Sequence, residues 1–206
     1  MKKLLILSCL LIIGFLVCGC GSYKQPSAYQ MQLRLAPINV ELDPKRYVCK
    51  IDPVQFSKFH GKRILLSSII DESRNASAFN YYNPDGTITY KLYNSSSSPI
   101  LQLVIQYFWY GLQKGFDCAG VKIEAPESTA YDAELSLTFN SLTDEEIRFK
   151  AILTKAGKLT YRKDYVINIP EVNTTEKAIF EQRAYGMLDS IVTTILNDPD
   201  FQKAFL

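Results

Sequence analysis

Apolar and polar residues follow one another along this chain in two rhythms, one with a period of two and one with a period near three and a half. The shorter rhythm is clearest from Tyr131 to Asn140. There Tyr131, Ala133, Leu135, Leu137 and Phe139 alternate with Asp132, Glu134, Ser136, Thr138 and Asn140. Successive side chains of a strand point to opposite faces, so this pattern predicts one buried face and one wet one. It recurs in Ile147, Phe149, Ala151 and Leu153 against Arg148, Lys150 and Thr154. It recurs again from Leu159 to Ile169, with Tyr165, Ile167 and Ile169 on one face. Lys155-Ala156-Gly157-Lys158 supplies a turn between the second and third runs, and Pro170 ends the third. The three predict an antiparallel meander.

Further strands are predicted upstream. Ile38 to Leu42 alternates, Tyr47 to Ile51 is rich in strand formers, and Asp43-Pro44 marks a turn between them. Ile64 to Ile70 is a short, nearly continuous apolar run, which predicts a central strand buried on both faces. The residues before it, around Phe59 and His60, read as loop. Tyr81-Tyr82 and Thr87 to Tyr93 flank Asn83-Pro84-Asp85-Gly86, a strong turn signal, and predict a hairpin.

The longer rhythm marks two helices. Ile100, Leu101, Val104, Ile105, Phe108 and Leu112 form one apolar stripe, opened by Ser98 as N-cap with Pro99 behind it and stopped at Gly115. Ile179, Ala184, Met187, Leu188, Ile191, Val192 and Ile195 form another, capped by Asn173-Thr174-Thr175 and stopped by Asp198-Pro199. Phe201 and Phe205 predict a short terminal turn folding back. The expected architecture is α+β: a mainly antiparallel sheet with two long helices packed on one face, in a single domain.

The N-terminus follows neither rhythm. Lys2 and Lys3 precede an apolar run from Leu4 to Val17. Roughly 14 residues are too few to cross a hydrocarbon core of about 30 Å but suit the h-region of a signal peptide. The run ends in Leu16-Val17-Cys18-Gly19-Cys20-Gly21-Ser22, which resembles the bacterial lipobox, with Val17 at −3 and Gly19 at −1 relative to Cys20. That resemblance implies a diacylglycerol on the Cys20 thiol and cleavage just before it. Residues 1–19 are then a lipoprotein signal peptide, 20–35 a tether of weak periodicity, and 36–206 an α+β periplasmic domain. Gly21, where enteric inner-membrane lipoproteins carry Asp, implies an outer-membrane anchor with the domain facing the periplasm.

Cleavage changes the charge and the cysteine inventory. It removes two of the 23 basic residues and none of the 21 acidic ones, so the mature chain is formally neutral. A neutral, evenly mixed surface lacks the basic footprint that nucleic-acid binding requires. Cys9 and Cys18 leave with the signal and Cys20 carries lipid, so Cys49 and Cys118 remain as a pair. In an envelope compartment they allow a disulfide, or two separately buried thiols. Two distant thiols and one histidine, His60, argue against a metal site, and no cofactor is expected.

No nucleophile elbow, P-loop or zinc-protease signature occurs. Asp71-Glu72 and Asp144-Glu145-Glu146 read as solvated turn acids. The chain is expected to be non-enzymatic and to bind an unidentified envelope protein. Interface energy concentrates in Trp, Tyr and Arg, which makes Tyr81, Tyr82, Trp109 and Tyr110 the candidate contact residues. A lipid- or glycan-binding module would need exposed aromatics in a groove. A hydrolase would need a polar cleft converging on His60.

The meander ending IRFKAILTKAGKLTYRKDYVINIPE, followed by the helix YGMLDSIVTTILNDPDFQKAFL, resembles the YajG-like family of envelope lipoproteins. The terminal pattern aliphatic-x-x-Asp-x-x-Phe and the segment QKGFDCAGVKI after the first helix support the likeness. It covers roughly Tyr131 to Leu206. The same half is similar to the auxiliary lipoproteins of ABC-type lipid and solvent transport systems, which implies an accessory role in transport and carries over no catalytic residue.

The anchor is directly testable. Cys20→Ala should abolish incorporation of radioactive palmitate and leave uncleaved or soluble protein, while Cys18→Ala should still be labelled. Label retained in the Cys20 variant would overturn the assignment, and fractionation of the labelled protein into the inner membrane would overturn the outer-membrane expectation.

Overall fold

A strand that buries every second residue is stable only when neighbours complete its hydrogen-bond ladder and a helix covers its apolar face. The computed structural model shows how this chain meets both demands, and it describes residues 38–43, 45–73, 79–82, 89–94, 104–142, 146–170 and 176–206. Residues 1–37, which hold the signal segment, Cys20 and the tether, the hairpin turn and the residues proposed to cap the first long helix lie outside that set, while the second long helix is opened by Glu176, with no side-chain cap, rather than by residues 173–175.

The elements run β1 (Ile38–Leu42), a 3-10 helix (Pro53–Phe59), β2 (Arg63–Asp71), β3 (Phe79–Tyr82), β4 (Thr89–Asn94), α1 (Val104–Cys118), β5 (Lys122–Glu124), β6 (Ala133–Leu142), β7 (Glu146–Lys155), β8 (Lys158–Asn168), α2 (Lys177–Asn197) and α3 (Pro199–Phe205). Five strands form one sheet in the order β5-β2-β6-β7-β8, and three form a second in the order β1-β4-β3. The predicted meander is present, with β6, β7 and β8 pairing antiparallel. β2 joins it parallel to β6 and accepts the short β5, also parallel, on its other side. The β7–β8 turn places Ala156 and Gly157 at φ 49° and 74°, the left-handed pair that a tight hairpin turn needs. The predicted Tyr81-Tyr82 hairpin is also present, as β3 antiparallel to β4, and β1 adds to β4 in parallel.

The buried face of the large sheet is lined by Ala133, Leu135, Leu137 and Phe139 of β6 and by Ile147, Phe149, Ala151 and Leu153 of β7. Phe139 pairs in register with Phe149, and Phe149 with Tyr165, so three rings from adjacent strands stand side by side. Their centroids lie 5.7 and 5.0 Å apart, and Phe108 of α1 meets Phe139 edge-on at 5.8 Å. Such pairs add about 0.5–1.5 kcal/mol each beyond their buried area. A second aromatic run, Tyr161-Phe201-Phe205-Phe59, ties β8 to α3 and the 3-10 helix at spacings of 5.5 to 5.9 Å.

The two long helices cross at very small residues. A Cβ on Gly111 would stand 2.3 Å from Leu188 Cδ1, and one on Gly115 would stand 3.1 Å from Val192 Cγ2 and 3.3 Å from the Tyr47 hydroxyl. Gly111 and Gly115 share a face of α1 at i,i+4, and Leu188 and Val192 share a face of α2 at the same spacing. The glycines form a shallow groove into which the ridge of α2 fits.

This contact corrects the reading of Gly115 as a helix stop. The helix continues to Cys118, and the left-handed residue that ends it is Gly120, at φ +82° with the His60 ring packed against it. Four other readings change. Tyr47 to Ile51 alternates in burial but joins no ladder; it is an extended crossing of the helices, with Tyr47 and Ile51 inward. Pro53–Phe59 is a 3-10 helix rather than loop, opened by Asp52, whose side chain accepts from the Val54 amide. In β2 only one face is buried, by Ile64 and Leu66, while Ile70 is 48% exposed. Ile179 is exposed at the start of α2; the remaining stripe is buried as predicted, and Phe201 and Phe205 fold back into the core.

Gly111→Ala should destabilise the domain by about 1–3 kcal/mol, through overpacking against Leu188. Leu188→Ala should cost about 2–5 kcal/mol. The double variant should fall short of the sum by about 1 kcal/mol, because the added methyl occupies part of the vacated space. Urea denaturation of the four proteins checks this, and strict additivity would contradict the close crossing.

Candidate functional site

The predicted aromatic surface is only partly exposed. On α1 the rings of Tyr107 and Phe108 are fully buried, Trp109 is partly buried and packs on the core, and Tyr110 is 57% exposed. Helical periodicity turns consecutive aromatics around the axis, so no more than part of such a run can face solvent. Tyr81 and Tyr82 lie on β3, the end strand of the small sheet, paired with Tyr90 and Thr89. Their side chains are outside the described residues. α1 packs against the neighbouring strand β4.

A denser cluster, missed in the sequence, forms where the extended segment 47–51 crosses α1 and α2. The buried Tyr47 hydroxyl donates to Asp189 Oδ1 at 2.6 Å, and the Lys50 amide reaches Oδ2 of the same carboxylate at 3.3 Å. The Lys114 ammonium donates to the Tyr47 carbonyl and stands 5.3 Å from the centre of its ring. Burial, reinforced by the Asp189 carboxylate, pushes the Tyr47 hydroxyl far above its ordinary range. Cys49 and Cys118 both lie here as free, half-buried thiols packed against the core, and Cys49 adds to burial in raising the Cys118 thiol. The weak signal for this cluster was the buried parity of Tyr47 and Ile51; nothing local pointed to Asp189.

Beside it, Glu181 accepts from Arg46 Nε at 2.6 Å and from the Tyr185 hydroxyl, which Asp43 approaches from its backbone amide. Burial and the Glu181 carboxylate push the Tyr185 hydroxyl up to about 12. Both groups anchor the chain between β1 and the 3-10 helix onto α2.

The buried carboxylate of Asp198 organises the opposite end of α2. Its Oδ1 caps α3, accepting from the amides of Asp200 and Phe201 at 2.8 and 3.2 Å. Its Oδ2 accepts from the Tyr161 and Tyr165 hydroxyls at 3.1 and 3.0 Å and pairs with Lys163 Nζ at 2.6 Å. All three partners come from alternate positions of β8. Burial alone would push this carboxyl up. The Lys163 ammonium, the Phe201 and Asp200 amides and the Tyr165 hydroxyl outweigh it and hold the group at about 2. An acid fixed so firmly in its charged form is a structural strut, not a proton donor.

An open cavity of about 370 Å³ lies between the end of β8 and the first half of α2, lined among others by Pro170, Ile179, Gln182, Arg183 and Met187. Arg183 Nη2 donates to the Pro170 carbonyl at 2.9 Å across it. His60 is exposed at the end of the 3-10 helix, and Asp71 and Glu72 accept from Ser73 and Asn140. Among the described residues no group of three or more His, Cys, Asp or Glu side chains could hold a metal ion. No described helix is long and apolar enough to cross a membrane.

No family model and no curated protein matches the chain. Solved structures with a similar outline exist. Protein XCC0632 of Xanthomonas campestris, from the family DUF330, is 11% identical with a TM-score of 0.46, over 81% of this chain and 94% of that one. An uncharacterized protein is 12% identical with a TM-score of 0.44, over 78% and 99%. Lipoprotein GNA1162 of Neisseria meningitidis is 13% identical with a TM-score of 0.31, over 66% and 98%.

The Asp198 cluster fixes an acid sensitivity. Its folded pKa lies below the unfolded value, so its contribution is complete above about pH 4 and disappears as pH falls towards 2, a loss of about 2 kcal/mol. Urea unfolding of wild type and Asp198→Asn between pH 6 and pH 2.5 should converge by about that amount at the acid end. Parallel pH dependences would show that the carboxylate is not held ionised by this network.

Proposed function

We propose that this chain is a lipid-anchored envelope lipoprotein without catalytic function, which binds a protein partner as an accessory of a transport system. The observation that carries the reading is the lipobox ending at Cys20, followed by a short polar tether. A flexible stretch of some 15 residues reaches about 20 Å on average, which holds the domain close to its outer membrane and facing the periplasm. The titratable clusters of the domain support a binding role. The Asp189 carboxylate is occupied by the Tyr47 hydroxyl and the Lys50 amide, Glu181 by Arg46 and the Tyr185 hydroxyl, and Asp198 by two tyrosine hydroxyls and Lys163, ties that join one element to another. With a neutral mature surface, exposed apolar and aromatic area has to supply most of the affinity. Tyr110 supplies such area, and Tyr81, Tyr82 and Trp109 complete the proposed contact surface.

A second reading, a lipid- or glycan-binding module, is favoured by one observation. The open cavity on α2 falls within the 300–1,000 Å³ typical of small-ligand sites, and Ile179 and Met187 line it.

A photoreactive phenylalanine at position 110, in cells making the lipidated protein, should give a discrete protein adduct. The same residue at position 166, exposed on the outer face of β8, should give none. Replacing Tyr81 and Tyr82 with Ser should weaken the adduct while the melting temperature stays within a few degrees. Equal adducts from both positions would overturn the proposed surface. An adduct at residues 179 to 187 that partitions into organic solvent would favour the ligand-binding reading.

A further inference from the structure

The extended segment 47–51 is pinned over the last turn of α1 at several independent points. A Cβ on Gly115 would lie 3.3 Å from the Tyr47 hydroxyl and 3.8 Å from Ile51 Cδ1, so the segment crosses directly above that glycine. Cys49 is the residue midway between those two contacts. Cys118 lies three positions after Gly115 and so on the same face of the helix. Lys114, one residue before Gly115, grips the Tyr47 carbonyl, and Asp189 of α2 grips the Tyr47 hydroxyl and the Lys50 amide. Residues 69 positions apart in sequence are thereby brought to the same turn of α1 as free thiols, both half-buried against the core rather than sealed within it.

We propose that Cys49 and Cys118 are a dithiol–disulfide site, closed by exchange with a disulfide-class oxidant. The Cys49 thiolate attacks one sulfur of the oxidant's disulfide, forming a mixed disulfide and expelling the first oxidant thiolate. The Cys118 sulfur then attacks Cys49 Sγ, forming the internal S–S bond and expelling the second thiolate. The two cysteine protons pass to water and onward to those thiolates. Two electrons leave the protein, and one oxidant disulfide becomes two thiols. Burial, with Cys49 and the Asp189 carboxylate adding to it, pushes the Cys118 thiol up to about 12 despite nearby Lys114. The same bond closes when the Cys118 sulfur attacks first and Cys49 resolves. The bond would clasp the segment that follows β1 onto the end of α1 and close a loop of about 70 residues, a length at which a cross-link restrains the unfolded chain strongly. None of this requires the partner reading given above.

The probe is oxidised glutathione, applied after reduction to the purified mature chain, whose only free thiols are Cys49 and Cys118 once residues 1–19 are removed and Cys20 is lipidated. Trypsin leaves Cys49 in the peptide 47–50 and Cys118 in the peptide 115–122. The expected product joins these two peptides, lighter than their sum by two hydrogen atoms, with two molecules of reduced glutathione released per chain. Cys118→Ser should stop with one glutathione on residue 49, and Cys49→Ser with one on residue 118, neither forming the linked peptides. The closed form should melt about 5–15 °C above the reduced one. Recovery of both peptides only as separate alkylated or glutathione-bearing species in the native-sequence protein would overturn the proposal.

Discussion

The approach of α2 to α1 sets the rest of this molecule. With any side chain larger than hydrogen at residue 111, Leu188 could not occupy its place, and residue 115 is constrained by Val192 on one side and Tyr47 on the other. Close helix contact lets both apolar stripes reach one sheet face. Phe108 meets Phe139 from one helix, while Leu188, Ile191 and Ile195 are buried from the other. It also leaves a single crossing place for the chain between β1 and the 3-10 helix, which lies over the glycine groove with Tyr47 as its wedge. The cluster of Tyr47, Cys49, Lys114, Cys118 and Asp189 is a consequence of that crossing.

The carboxylates then convert packing into registry. Asp189 reads the position of residues 47 to 50, Glu181 that of Arg46 and Tyr185, and Asp198 that of three alternate residues of β8. Each takes charge-assisted hydrogen bonds, which are stronger than neutral ones and more demanding in geometry. Apolar contacts alone would tolerate sliding of α2 along the sheet. Three acids spaced along α2 and its end, two tied to the segment 46–50 and one to β8, resist such sliding.

The legible part of the fold was whatever has a strong local period. β6, β7 and β8, the hairpin, the buried stripe of α2 and the returning Phe201 and Phe205 all follow from spacing within one segment. The failures share a cause: their governing contacts lie far away in sequence. Gly115 has the local chemistry of a helix stop, but the deciding neighbour is Val192. Tyr47 to Ile51 has strand propensity, but its backbone finds no ladder and its side chains bind helices instead. Ile70 belongs to an apolar run whose far end has no covering element. The 3-10 helix is different, since Asp52-Pro53 is a local start signal and could have been read as one. Of the candidate site residues, Tyr110 alone among those with described side chains is well exposed, because burial of the aromatic run on α1 is decided by which face meets α2.

These constraints bear on how a neutral domain near a membrane would find a partner. Several of its cations are committed within the domain: Arg46, Lys114, Lys122, Arg148 and Lys163 each reach an acceptor there. Little net field remains to steer an encounter, and on the proposed reading a lipid tether would supply instead a high effective concentration at the surface of a membrane-resident partner. Under that arrangement a modest apolar contact suffices, provided the presenting surface is rigid. Rigidity is what the helix crossing and its carboxylate ties supply beneath Tyr110 on α1. A clasp at Cys49 and Cys118 would fasten the same helix, at its last turn, to the segment that follows β1.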